Sequence, residues 1–350
     1  MMEATVKSTS SIGQEISSSP RMCARCVLTT AFPGIRFNEH GVCDLCLSAG
    51  SPEETVTRRE RLMADIDEVI EQYRGDGEYE CIVAYSGGKD SSNTLKFLVE
   101  RYGLRCLAVT VDNGFIAEQA VENCKTVTAA LGVDLLFYRP SPVFMNDLYL
   151  KSATTALHAP AAIKRASSMC NSCISLINNY MIKTALQHNV KIIAGGYIGG
   201  QIPTDAAVMR MKTSVQSKLR GVSLKRYVTA LGPTAEKYMG FPEVTDDREL
   251  VIVNPMLGLG QSEEQVIENI SSIGWQRVTS VGLNSSNCQL NDLGIAVHHK
   301  QHGFHPYALE ASEQIRAGLM TRAEALKKVE RIPAFSDLRN QIAKIGLHIL

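Results

Sequence analysis

Three groups of residues have types and spacings that could do chemistry. Cys23, Cys26, Cys43 and Cys46 form C-x2-C-x16-C-x2-C. Each tight pair can grip one side of a tetrahedral ion while the residues between them fold as a knuckle and hairpin. Structural zinc is the expected occupant, since four thiolates leave no open position; four unligated thiols in a small folded loop are the alternative. Ser86-Gly87-Gly88-Lys89-Asp90-Ser91-Ser92 has adjacent glycines for close backbone approach, and its N–H groups can converge on a phosphate at a positive helix end. It is neither G-x-x-x-x-G-K-[ST] nor G-x-G-x-x-G, which argues against the kinase and dinucleotide readings. Cys170 and Cys173 open a helical stretch and Cys288 lies far downstream. If the fold brings them close, three thiolates can hold three corners of an iron–sulfur cluster and leave the fourth iron open. Two buried thiols or a local disulfide are the alternatives for the pair.

Other reactive side chains read differently. His298, His299, His302 and His305 fall in HHKQHGFH, where imidazoles could bind metal, although solvated or core histidines are the commoner outcome. Gly303 and Pro306 favour a loop there over a long helix. Cys81 and Cys106 lie in strand-like runs and Cys124 on a helical pattern, so all three read as packing residues. Arg210, Lys212, Lys218, Arg220, Lys225 and Arg226 fall in a stretch without an acid from Ala206 to Ala235. That stretch is a solvated helical face or a site for phosphate or nucleic acid.

The elements that must position these groups follow from periodicity. Residues 1–20 are Ser-rich and read as a disordered tail, 21–50 as the zinc-binding module, and 51–78 as a linker helix with Leu62, Ile66, Val69, Ile70 and Tyr73 at helical spacing. Strand-like runs at 79–85, 104–111, 135–139 and 190–196 alternate with helical stretches, which predicts a parallel sheet covered on both faces. The chain past 255 reads as helical, with a capping box at Thr321 and Glu324.

SGGKDS between strand and helix resembles the PP-loop of the N-type ATP pyrophosphatases, and Val111-Asp112-Asn113-Gly114 at the end of the second strand strengthens the likeness. The resemblance implies a Rossmann-like, adenine nucleotide alpha hydrolase fold over 79–255, completed by the helical region 256–350. It also implies adenylation: a substrate carbonyl oxygen attacks the α-phosphate of ATP, pyrophosphate leaves, and a nucleophile displaces AMP. On this reading Ser86, Gly87, Gly88, Lys89, Ser91 and Ser92 hold pyrophosphate, Asp90 holds magnesium or orients the loop, and Asp112, Asn113, Gly195 and Gly196 border the nucleotide. The C-x-x-C with a distant cysteine is similar to the tRNA 2-thiolation synthetases, which implies a [4Fe-4S] cluster on Cys170, Cys173 and Cys288. Residues 22–46 and 315–326 look like N-acetyl sugar amidotransferases, which use ammonia from a separate glutaminase. Gly195 to Gln201 depart from the more acidic segment that family would show.

Composition sets the remaining bounds. At 45% hydrophobic and 21% charged residues the chain is not disordered throughout. No run approaches the ~20 apolar residues of a membrane span and the first residues lack a signal-peptide core, so a cytoplasmic protein is expected. Thirty-six basic residues balance thirty-six acidic ones, which disfavours a polyanionic partner without excluding tRNA. The expected function is ATP-dependent sulfur insertion into a small molecule, a nucleobase or specialised metabolite, with Lys89, Asp90, Cys170, Cys173 and Cys288 at its centre. The expected partners are a sulfur donor or a glutaminase, and a second copy of the chain in a homodimer. The competing readings are the sugar amidotransferase, a tRNA thiolase, and a zinc-bearing adaptor that binds ATP without turnover.

Overall fold

The computed structural model describes residues 20–242 and 247–348. The tail expected over residues 1–20 therefore lies, but for Pro20, outside the described residues.

Helix α1 (Pro52–Tyr73) begins at a capping box, in which Ser51 accepts from Glu54 N and the Glu54 carboxylate accepts from Ser51 N. Its buried Leu62, Ile66, Val69 and Ile70 recur on one face and pack against the sheet, as the periodicity predicts. Strands β1 (Cys81–Ala84), β2 (Cys106–Val111) and β3 (Asp134–Tyr138) alternate with helices α2 (Lys89–Tyr102) and α3 (Glu118–Leu131), and α4 (Pro142–Thr154) and α5 (Ser168–Gln187) both precede β4 (Ile192–Ala194). Then come β5 (Val208–Lys212), α6 (Thr213–Leu231) and β6 (Glu249–Val253). The sheet order is β3-β2-β1-β4-β6-β5, parallel except for β5, which runs antiparallel to β6 at the edge. Strand β5 lies in the stretch whose pattern is weakest in the sequence: as an edge strand it carries no buried residue, so its composition lacks the apolar run of a central strand. Two hydrophobic clusters, one on each face, bury Ile82, Leu107, Val109 and Ile193 on one side and Cys81, Val83, Cys106 and Ala108 on the other. Cys81, Cys106 and Cys124 are fully or almost fully buried, as expected of packing residues.

Past β6 the chain is helical, with α7 (Glu263–Ser271), α8 (Asn291–His302), α9 (Ala308–Arg316) and α10 (Arg322–Val329), the last opening on the Thr321–Glu324 capping box. The histidine segment expected as a loop is helical through His302. Gly303, at φ 75°, ends α8 in the left-handed conformation, so Gly303 and Pro306 fall just past the helix and do not oppose it. No helix among the described residues is long and apolar enough to cross a membrane.

The start of β1 is fixed electrostatically. Glu80, 3% exposed, pairs with Arg74 at 3.0 Å and Arg105 at 3.4 Å and accepts from Arg105 N at 3.0 Å. Burial pushes its carboxyl up, but these partners outweigh burial and hold it below the usual range. A depressed folded pKa adds stability that is present at neutral pH and lost as pH falls through it. Glu80→Ala should therefore cost about 2 kcal/mol at pH 7 by urea unfolding, and the difference should shrink on acidification below the carboxylate range.

Candidate active site

The sheet reverses direction of growth between β1 and β4, which lie side by side while their following connections diverge. In open α/β sheets this crevice beyond the strand C-termini is where ligands bind. Ser86–Ser92 leaves β1 there and enters α2, and Gly195–Gly196 leaves β4 beside it. The two backbones come so close that a Cβ on Gly196 would lie 2.8 Å from Ser91 N. Gly87, at φ 69°, adopts a left-handed conformation, and a Cβ there would meet the Ala120 carbonyl oxygen at 2.0 Å. The Gly87 carbonyl accepts from Trp275 Nε1 at 2.9 Å and Asn123 Nδ2 at 3.2 Å, which fixes the turn. Ser91 Oγ accepts from Ser86 N at 3.2 Å and donates to the Gly88 carbonyl at 3.1 Å, and Tyr85 Oη contacts Ser92 Oγ at 3.2 Å. The loop thus presents the N-terminal amides of α2, which have no partner within the helix, on a backbone tied down from all sides. Lys89 N donates to Ser286 Oγ at 3.2 Å, which brings a loop from beyond β6 onto the same spot.

Charge around the loop is organised on a cavity of about 1000 Å³ that also reaches Lys328, Arg277, Glu263 and Glu310. Lys89 Nζ lies 2.7 Å from the Asp90 carboxylate. Burial pulls the lysine down, yet Asp90, Glu263 and Glu310 hold its ammonium above the usual value. Glu263 pairs with Lys328 at 2.8 Å and Arg277 at 3.6 Å. Burial pushes Glu310 up to about 6, against the pull of the hydrogen bond from Gln201 and of Lys89.

The same cavity is lined by Cys170, Cys173 and Cys288. Ser167 caps α5 by accepting from Cys170 N at 3.2 Å, and the i, i+3 spacing puts Cys170 and Cys173 on one face of its first turns. Cys288 arrives from 118 positions further along the chain than Cys170, on a segment stitched to the end of β2: Ala117 N donates to the Asn287 carbonyl and Gln289 N to the Phe115 carbonyl, both at 2.9 Å. Asn113 Nδ2 lies 3.6 Å from both Cys173 Sγ and Cys288 Sγ, while its Oδ1 accepts from Phe115 N at 2.8 Å. The fold therefore brings the three cysteines together. Asn113, expected beside the nucleotide, turns its side chain to the thiols; Asp112 accepts from Gly114 N at 2.8 Å and pairs with Arg139 at 3.3 Å.

Cys23, Cys26, Cys43 and Cys46 form a separate site. All four are buried, their sulfurs lie within 4.8 Å of one another, and Cys26 and Cys43 are 3.7 Å apart. A tetrahedral thiolate site with metal–sulfur bonds of ~2.3 Å has edges of about 3.8 Å. The module docks on the C-terminal helices: Phe32 meets Phe304 edge-on at 5.2 Å, Val27 N donates to Ser312 Oγ at 3.3 Å, and Arg322 donates to the Cys23 and Cys26 carbonyls at 3.3 Å. Among the described residues, no metal-spaced set includes a histidine. His298 is 1% exposed and packs on His302 and Phe304, each at 4.7 Å. The basic run divides: Arg210 pairs with Glu68 at 3.7 Å, Arg226 donates to the Leu157 carbonyl at 3.5 Å, and none of its six residues lines the cavity. Trp275, Ser286, Asn291 and Glu310 also serve the site, but each is a single residue in helical or loop sequence that carries no motif.

No family model matches the chain. An uncharacterized protein of Methanocaldococcus jannaschii is 24% identical over 292 residues, 83% of this chain and 87% of that one. The NMN synthetase of Francisella tularensis aligns over 86% of this chain and 98% of its own with a TM-score of 0.36 and 14% identity. The U34-tRNA thiolase NcsA of Methanococcus maripaludis, solved with its [4Fe-4S] cluster, aligns over 85% and 86% with a TM-score of 0.33 and 15% identity. Likenesses at this level carry no argument about the reaction.

Glu310 supplies a pH test. A carboxyl raised by burial contributes stability below the ordinary carboxylate range that is lost as pH rises through about 6. Glu310→Gln removes this titration, so the stability of wild type relative to the variant should fall by about 2 kcal/mol between pH 4 and pH 8, read from urea midpoints. The likeness of this chain to the PP-loop ATP pyrophosphatases is carried by its own residues: an SGGKDS turn at the switch point of a doubly wound sheet, with a second glycine pair against it.

Proposed function

We propose that the protein is an ATP pyrophosphatase that adenylates a substrate carbonyl oxygen and delivers sulfur to the activated carbon. The observation that carries this reading is that the anion-binding loop and three convergent thiols line one cavity.

The division of labour follows from charge. The α2 amides, Lys89 and the Ser86, Ser91 and Ser92 hydroxyls bind the β- and γ-phosphates of ATP, with Lys328 and Arg277 on the cavity wall adding positive charge. Asp90 is the loop's own carboxylate for the magnesium ion that accompanies ATP. The substrate oxygen attacks the α-phosphorus, the bond to the bridging oxygen breaks, and pyrophosphate leaves with the electron pair. Lys89, held as an ammonium, meets the charge that accumulates there. An amide or ring oxygen is a poor leaving group, and the adenylate turns it into phosphate-stabilised AMP.

Cys170, Cys173 and Cys288 fit an iron–sulfur cluster better than a single ion. They supply soft thiol donors only, and the three do not fall together within the 4.8 Å spacing that the other four cysteines satisfy. Bound through these three, a [4Fe-4S] cluster would leave one iron free to carry sulfide to the activated carbon. The chain's residues fix the ligands: Ser167 orients Cys170, and Ser285 Oγ accepts from Cys288 N at 2.9 Å. Cys23, Cys26, Cys43 and Cys46 hold zinc, a closed shell that stabilises the docked module. The balanced charge and the absence of the basic run from the cavity support a small acceptor over tRNA.

Anaerobic purification followed by iron, sulfide and zinc analysis tests the reading. We expect about four irons and about one zinc per chain, with the iron lost and the zinc kept in Cys170→Ala. Calorimetry should show ATP binding weakened at least tenfold in Lys89→Ala, about 1.4 kcal/mol. Zinc without iron after cluster reconstitution would contradict sulfur delivery and point to ammonia as the nucleophile. Unchanged ATP affinity would sink the loop assignment.

A further inference from the structure

Beside the three thiols stand buried hydrogen-bond donors that the reading above does not use. Tyr149, on α4, is 1% exposed, and its hydroxyl lies against the Cys173 thiol without closing a hydrogen bond of normal geometry to it or to any other group. Asn291, 5% exposed at the start of α8, accepts from Tyr307 Oη at 2.6 Å and from Cys170 Sγ at 3.8 Å through Oδ1, and its Nδ2 has no partner. Asn113 Nδ2 reaches Cys173 and Cys288 from a third element. All three residues line the cavity at the thiols.

Leaving a buried donor unmade costs about 1–3 kcal/mol, and native interiors rarely tolerate it. Here two such donors occur together, next to a third that already spans two sulfurs. Their common need is an acceptor-rich group between them. Thiolates are acceptors only, so once Cys170 binds metal it no longer donates to Asn291, and the amide must present Nδ2 to that sulfur. Inorganic sulfide is likewise an acceptor. Donors aimed at cluster sulfurs disperse negative charge and favour the reduced state.

We propose that Asn113, Tyr149 and Asn291 form a donor shell around the sulfur atoms of the group held by Cys170, Cys173 and Cys288, as positioning residues that orient it and raise its reduction potential. Once the amide turns, Nδ2 takes the place of Oδ1, and Tyr307 Oη, which donates to Oδ1 at 2.6 Å in the metal-free protein, accepts from it. The inference rests on the cluster reading.

The test uses full-length protein reconstituted anaerobically with iron and sulfide, comparing wild type with Tyr149→Phe, Asn291→Leu and the double variant. Iron content should stay at the wild-type level in Tyr149→Phe. At a fixed poise the reduced-to-oxidised ratio of the double variant should fall about tenfold, equal to a downward shift of about 59 mV for one electron, with a changed electron paramagnetic resonance spectrum. Metal-free Tyr149→Phe should melt at or above the wild-type temperature, because the substitution removes a hydroxyl that has no partner in the empty protein. Full iron loading with unchanged potential and spectrum would overturn the donor shell while leaving the cluster reading standing. A lowered melting temperature of metal-free Tyr149→Phe would also count against it, by showing a partner already in place. A wild-type protein that takes up no iron would overturn both.

Discussion

The close approach of two backbones at the sheet's switch point governs the rest of the molecule. Gly87 can turn left-handed under the Ala120 carbonyl, and Gly196 can lie against Ser91, only because neither carries a side chain. That packing aims the first turn of α2 into the crevice between β1 and β4, and with it the amides and lysine that an anion would meet. Trp275 and Asn123 hold the turn by hydrogen bonds to one carbonyl, so the loop's geometry depends on α3 and on the chain beyond β6 as well as on its own sequence.

The cysteines outside the sheet core fall into two groups according to their spacing. Four lie within a single ion's reach in a module that packs against α9 and the region around Phe304, remote in sequence but adjacent in space. Three others are distributed over α5 and a loop that bridges to the end of β2, where Asn113 spans two of them. The segment that carries Cys288 also places Ser286 on Lys89 N, so the loop and the thiols share one structural support.

Much of this architecture could be read from the residues. The apolar runs of β1, β2 and β4 and the heptad-like face of α1 are buried on the sheet, so their periodicity was visible. The SGGKDS turn and the C-x-x-C pairs were legible because close approach and ligand geometry constrain neighbouring residues. Edge strand β5 was not, since it buries little and its composition follows no period. The histidine helix is hidden in the sequence because Gly303 acts as its terminator, one residue past the end, and a terminator and a breaker look alike there. Asn291, Ser286 and Glu310 meet Cys170, Lys89 and Gln201 from more than a hundred residues away, which a local pattern cannot encode.

In the function proposed above, ATP and an iron–sulfur cluster occupy one cavity. A crystal structure of anaerobically reconstituted protein with a non-hydrolysable ATP analogue, with data collected at the iron absorption edge, tests it directly. Anomalous density among Cys170, Cys173 and Cys288 and a triphosphate on Ser86–Ser92 in the same crevice are the expected result. Iron confined to Cys23, Cys26, Cys43 and Cys46, or a triphosphate bound away from the α2 N-terminus, would contradict it.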